Sequence, residues 1–80
     1  MQGGYFVNIE YERSFGNNIR IRRKIAKITQ EQLSAKLQVL GCDITRSALA
    51  KIEVGQRHIY PDEIKCIKEA LGVSFDDLFI

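Results

Sequence analysis

Thr29-Gln30-Glu31-Gln32-Leu33-Ser34-Ala35-Lys36-Leu37 and, after a connection, Thr45-Arg46-Ser47-Ala48-Leu49-Ala50-Lys51-Ile52-Glu53-Val54-Gly55 carry the deciding local signals of this chain. Each stretch opens on a threonine whose hydroxyl can accept a hydrogen bond from the free N–H groups of a first helical turn. Gly55 closes the second, because glycine takes the left-handed conformation that ends many helices without steric cost. Leu33 and Leu37 share one side of the first stretch, and Leu49 and Ile52 one side of the second, so each has a face to bury. The pair reads as two short capped helices held at an angle.

Three more helices flank this pair. Ser14 predicts the cap of a first helix from Phe15 to about Ala26, with Phe15 and Ile19 at helical spacing and Ile21, Ile25 and Ile28 widening the apolar arc. The second runs from Gln30 to about Val39, with Leu40 joining Leu33 and Leu37, and Gly41 stops it. The third spans Arg46 to Val54 and leaves Arg46, Ser47, Ala50 and Lys51 on or near its outer side. Its small residues Ser47, Ala48 and Ala50 let another surface come close. Pro61 suits the first turn of a fourth helix, where Asp62 and Glu63 face the positive end of the dipole, Ile64, Ile67 and Leu71 point inward and Gly72 ends it. Ser74 caps a short fifth, Phe75 to Leu78. Helices two and three together form a helix-turn-helix unit.

The N-terminal piece differs. Tyr5, Val7, Ile9 and Tyr11 alternate with more polar neighbours, which predicts a half-buried strand over Tyr5–Glu12. A lone strand has no partner within a helical chain. Either it pairs with the same segment of a second chain, or it is a disordered or loosely packed tail. The expected division is an N-terminal arm, residues 1–13, and a helical domain, residues 14–80.

Eighty residues, 45% of them hydrophobic, support one core and no more. No apolar run approaches the roughly 20 residues that cross a bilayer, and no basic start leads into an apolar segment, so the expected setting is the cytoplasm, away from membranes. Cys42 and Cys66 lack the paired spacing of a zinc or redox motif and read as packed thiols; with His58 the only histidine, no metal and no cofactor are expected. Ser34, Ser47 and His58 sit in no motif that gives a serine a base and an orienting acid, so the chain is not read as an enzyme. The net charge of +2 hides an uneven distribution. Residues 1–12 carry −2, residues 13–27 carry +6 without an acid, residues 28–60 carry +1 and residues 61–80 carry −3.

From about Gly16 to Leu78 the chain resembles the phage-repressor and Cro-like (XRE-type) helix-turn-helix family of bacterial DNA-binding regulators. The resemblance covers about four fifths of the sequence. It rests on Ile19 and Arg23, on Thr29-Gln30-Glu31-Gln32-Leu33, on Lys51-Ile52-Glu53-Val54-Gly55, on Ala70-Leu71-Gly72-Val73-Ser74, and on Asp77-Leu78, in that order and spacing. It implies an all-α, compact five-helix lambda-repressor-like domain whose third helix, residues 46–54, lies in the DNA major groove. The residues so implied to contact DNA are Gln30 with the amides of helix two on a phosphate, Arg46, Ser47 and Lys51 at base-reading positions beside Thr45, Arg57 and His58 on the backbone, and Arg23, paired with Glu53, near a phosphate. The sequence also departs from the family. The connection Gln38–Ile44 is a few residues longer than the usual tight turn, Arg22 stands where an apolar residue is common, Lys27 where Gly is frequent and Val54 where Asn often contacts DNA.

The function expected is that of a sequence-specific double-stranded DNA-binding regulator, a repressor that occupies a near-palindromic operator as a homodimer. The dimer surface is sought in the N-terminal strand or in the apolar end Phe75, Leu78, Phe79 and Ile80, both of which could instead complete a monomer's core. The alternative is a protein-interaction module, such as an antitoxin or a regulator's partner, in which DNA binding is secondary.

Overall fold

The computed structural model describes residues 9–79, with side chains from residue 13 onward. Among the described residues four α-helices follow one another, α1 (Ile9–Ile25), α2 (Gln30–Val39), α3 (Arg46–Glu53) and α4 (Pro61–Leu71), and a single 3-10 turn comes after them at Asp76–Leu78. The expected fifth α-helix is thus only this turn. Ser74 Oγ accepts from the Asp77 N–H at 3.2 Å and Asp77 Oδ2 accepts from the Ser74 N–H at 2.9 Å, a reciprocal cap that starts a helix which then runs for three residues.

The threonine caps form as the sequence indicates. Thr29 Oγ1 accepts from the Gln32 N–H at 3.0 Å, and Gln32 Oε1 accepts from the Thr29 N–H at 2.8 Å, so α2 begins with a full capping box. Thr45 Oγ1 accepts from the Ala48 N–H at 3.1 Å at the start of α3. Gly41 follows α2 with φ +85°, and Cys42 N–H then bonds back to Leu37 C=O at 2.9 Å. Ser34 Oγ, buried on α2, donates to Ile44 C=O at 2.7 Å and ties the α2–α3 connection to the helix it leaves.

The N-terminal strand is not found. Ile9–Glu12, the part of it within the described residues, is helical and continuous with α1, and there is no strand among the described residues; Tyr5–Asn8 lies outside them. A helix satisfies its backbone N–H groups along its own length, whereas a strand here would have needed a second chain. For the same reason Ser14 is not a cap: it sits exposed within α1.

The core is assembled from every element. Phe15 and Ile19 of α1, Leu33 and Leu37 of α2, Cys42 and Ile44 of the connection, Leu49 and Ile52 of α3, Ile67 of α4 and Leu78 of the terminal turn are all buried. Ile21 and Ile25 do not widen α1's buried arc, being 45% and 64% exposed, and Leu40 caps α2 from the surface. Of the apolar C-terminal residues, Leu78 completes the core and Phe79 packs at a tilt against Phe15 with ring centroids 4.6 Å apart, while Phe75 remains half exposed. Gly16 lets α1 and α3 touch, since a Cβ there would stand 2.0 Å from the Ile52 carbonyl oxygen.

Candidate nucleic-acid interface

α3 is buried through Leu49, Ile52 and Glu53 and presents Arg46, Ser47 and Lys51 to solvent, with Ala48 and Ala50 half-buried between them. The 3.6-residue period produces this division: 49, 52 and 53 fall on one side, 46, 47 and 51 on or near the other. Thr45, exposed, spends its hydroxyl as an acceptor on the helix cap and keeps its own O–H for another partner.

What fixes α3 in place is charged and buried. Arg23 Nε donates to Glu53 Oε2 at 2.8 Å and Nη2 to Glu53 Oε1 at 3.1 Å, with the two side chains 9% and 1% exposed. The third edge of the guanidinium donates to Ile28 C=O at 2.9 Å. Gln30 Nε2 adds a 3.1 Å bond to Glu53 Oε1, so Arg23 of α1 and Gln30 of α2 both hold the one carboxylate of α3, while Arg23 also holds the α1–α2 connection. No buried side-chain polar atom among the described residues lacks a partner.

Beside this cluster lies an open cleft of about 360 Å³ lined by Arg23, Thr29, Gln30, Glu31 and Arg46. It spans the N-termini of α2 and α3. Free backbone N–H groups, the positive end of the α2 dipole and the Arg46 guanidinium suit an anion there, with the Glu31 carboxylate set against them. Of the residues singled out by sequence, Arg23, Gln30 and Arg46 line this one cleft, Thr45 and Ser47 flank Arg46 in the chain at the start of α3, and Arg23 and Gln30 also grip Glu53 at its end. Lys51 follows a turn later on the same exposed side.

Arg57 and His58 lie apart, in the segment between α3 and α4. Arg57 Nη1 and Nη2 donate to Glu63 Oε1 and Oε2 at 2.9 and 3.0 Å, and Nη1 also donates to His58 C=O at 2.9 Å. Glu63 Oε1 accepts the Tyr60 N–H at 3.0 Å as well. The Arg57 hydrogen bonds hold the Glu63 carboxyl below its usual range, against a smaller opposing effect of burial, and the same bonds raise Arg57. His58 is exposed, its ring edge-on to Tyr60 at 5.2 Å.

Sequence reasoning missed two of these partners. Glu63 reads from sequence only as a charge at a helix start, although its place two residues after Pro61 is where a carboxylate can reach back to the cap N–H. Gln30's grip on Glu53 has no local signal. The thiols Cys42 and Cys66 also touch, and burial first, then that hydrogen bond, pushes Cys42 up to about 11, which keeps it uncharged and unreactive at neutral pH. Among the described residues no group of His, Cys, Asp and Glu is arranged to hold a metal ion, and no helix is long and apolar enough to cross a membrane.

Residues 19–78 match the helix-turn-helix family. The chain is 37% identical over 65 residues to the control protein C.BamHI of Bacillus amyloliquefaciens, an alignment covering 80% of this chain and 74% of that protein. No solved structure matches it. With its capped α2 and α3, the buried clamp behind them and a family match across three quarters of its length, the chain belongs to the Cro-like, XRE-type helix-turn-helix family of bacterial DNA-binding regulators.

Proposed function

We propose that this protein is a cytoplasmic, sequence-specific regulator that places α3 in the major groove of its operator and represses by occupying it. The observation that carries this reading is the pairing of an exposed Arg46–Ser47–Lys51 face with a buried Arg23–Glu53 clamp that sets its direction. Arg46 can give two parallel hydrogen bonds to guanine O6 and N7, Ser47 can meet any base edge, and Lys51 reads guanine or holds a phosphate. Gln30 and Arg23 line the cleft in which the amides of α2 would take a backbone phosphate, and Thr45, next in the chain to Arg46, would add its hydroxyl to the same strand. Arg57 and His58 would touch the backbone farther along, fixing register without reading sequence.

A single module of this kind buries about 600–1,000 Å² of protein surface on DNA, too little for tight selective binding, so two copies would act on a near-palindrome with half-sites about 10 base pairs apart. The half-exposed Phe75, beside Phe79 at 4.6 Å, offers the apolar surface for that pairing. Selecting bound duplexes from a random pool tests the reading. A recovered motif with two-fold symmetry supports it, and a pool that never departs from random rejects it.

A second reading, a module that binds another protein, is favoured by one feature: a groove of about 280 Å³ at the end of α2, lined by Val39, Leu40 and Ala70 between Lys36 and Glu69, with Val39 88% exposed. Loss of salt-sensitive duplex binding at low ionic strength would select this reading over the first.

A further inference from the structure

We propose that the outward cationic side of α1, built from Arg20, Lys24 and the adjoining Lys27 with Arg13 two turns earlier, is a second phosphate-binding surface that engages the same duplex outside the half-site read by α3. It rests on the DNA reading above and adds a surface to it.

The placement follows from the contacts of α1. Gly16 and Arg23 face α3, the first against Ile52 and the second on Glu53. Phe15, Asn18 and Arg22 face the terminal turn, through Phe79, Leu78 C=O and Asp77. By helical geometry Arg20 and Lys24 fall on the arc next to Gly16 and Arg23, on the side away from the terminal turn. Both are exposed, as are Arg13 and Lys27. Lys27 stands two residues before Thr29, which lines the cleft at the start of α2, so the cations of the last turns of α1 lead along the chain into that cleft.

No carboxylate occurs between residues 13 and 27. Arg22 is held by Asp77 and Arg23 by Glu53, but Arg20, Lys24 and Lys27 make no ion pair or side-chain hydrogen bond to another described residue. Arg20 and Lys24, one turn apart, repel each other, while Lys24 lies in the last turn, where the helix dipole favours a cation. Arg20 and Lys24, about 6 Å apart along the helix axis, with Lys27 just past its end, complement neighbouring phosphates, and their place in the chain leading into the cleft points to phosphates of the bound duplex.

Fluorescence anisotropy on a random-sequence duplex of about 30 base pairs, three turns, measures the salt dependence of binding. The full chain is compared with Arg20→Gln/Lys24→Gln/Lys27→Gln and with the charge-matched Lys36→Gln/Lys65→Gln/Lys68→Gln, each checked for folding by circular dichroism. The first triple should lower the slope of log K against log salt by about 2 to 3, at about 0.9 for each phosphate no longer neutralised, and the second by less than about 1. Lys24→Gln alone should remove about 0.9. Equal losses in the two triples, or an unchanged slope in the first, overturn the α1 surface alone. A wild-type chain without salt-sensitive duplex binding overturns the DNA reading and this surface with it.

Discussion

Arg23 and Glu53, thirty residues apart, meet as a two-pronged ion pair of 2.8 and 3.1 Å with both side chains almost removed from solvent. It joins the last turn of α1 to the end of α3. An ion pair this deep costs much of its attraction in lost hydration, so its value lies less in net stability than in allowing one arrangement of α1 against α3. Breaking it from one side should be expensive, because the remaining charge stays buried alone. Arg23→Met and Glu53→Gln should each lower unfolding free energy by about 3 kcal/mol or more, and Arg23→Met/Glu53→Met should recover much of that loss, as read from urea midpoints.

Gly16 sets the approach of the same two helices. A Cβ there would overlap the Ile52 carbonyl oxygen at 2.0 Å, and a backbone atom cannot swing aside as a side chain can. Gly16→Ala should therefore destabilise by about 3 kcal/mol, although alanine is the better helix former, and the comparison with Ser14→Ala on the exposed part of α1 separates the two effects by thermal unfolding.

Lys27 has φ +60°, a left-handed conformation that costs a side-chain-bearing residue about 1–2 kcal/mol. Glycine escapes that cost but loses more freedom on folding, about 0.5–1 kcal/mol. Lys27→Gly should stabilise the domain by about 0.5–1 kcal/mol, a rise of several degrees in Tm, while Lys27→Ala should not.

The caps at Thr29 and Thr45, the turn at Gly41 and the stop at Gly55 are legible in the sequence because each is decided within four or five residues. Arg23 and Glu53 pair through family resemblance, and the structure supplies the geometry. The alternation of Tyr5, Val7, Ile9 and Tyr11 that predicts an N-terminal strand is too short to exclude a helix, and Ile9 and Tyr11 are helical. Ile21 and Ile25 read as inward on hydrophobicity alone, which does not say how wide an arc a small core can cover. The bonds from Glu63 to Arg57 and from Gln30 to Glu53 depend on how helices are brought together, and no window along the chain contains that information.

Glu63 gives the domain a pH dependence. Its folded pKa lies below its ordinary value, chiefly through the Arg57 hydrogen bonds, so the unfolded chain binds the proton more readily. The contribution is present above the unfolded pKa of about 4.3 and is lost as pH falls through the lower folded value. Wild type should exceed Glu63→Gln by about 1 kcal/mol at pH 7, with the gap closing below about pH 4. Urea unfolding at a series of pH values measures the gap, and a gap that widens on acidification would contradict the sign.

The exposed face of α3 as the reader of sequence is tested most directly by Arg46→Ala on the duplex recovered by selection, with the ratio of its affinity to that for a random duplex measured at one salt concentration. Removing a two-bond grip on a base should cost about 1–3 kcal/mol on the selected duplex, a drop of roughly 5- to 150-fold in that ratio, with preference relaxed at one position in each half-site. An Arg46→Ala protein that keeps both its ratio and its preferred bases would contradict it.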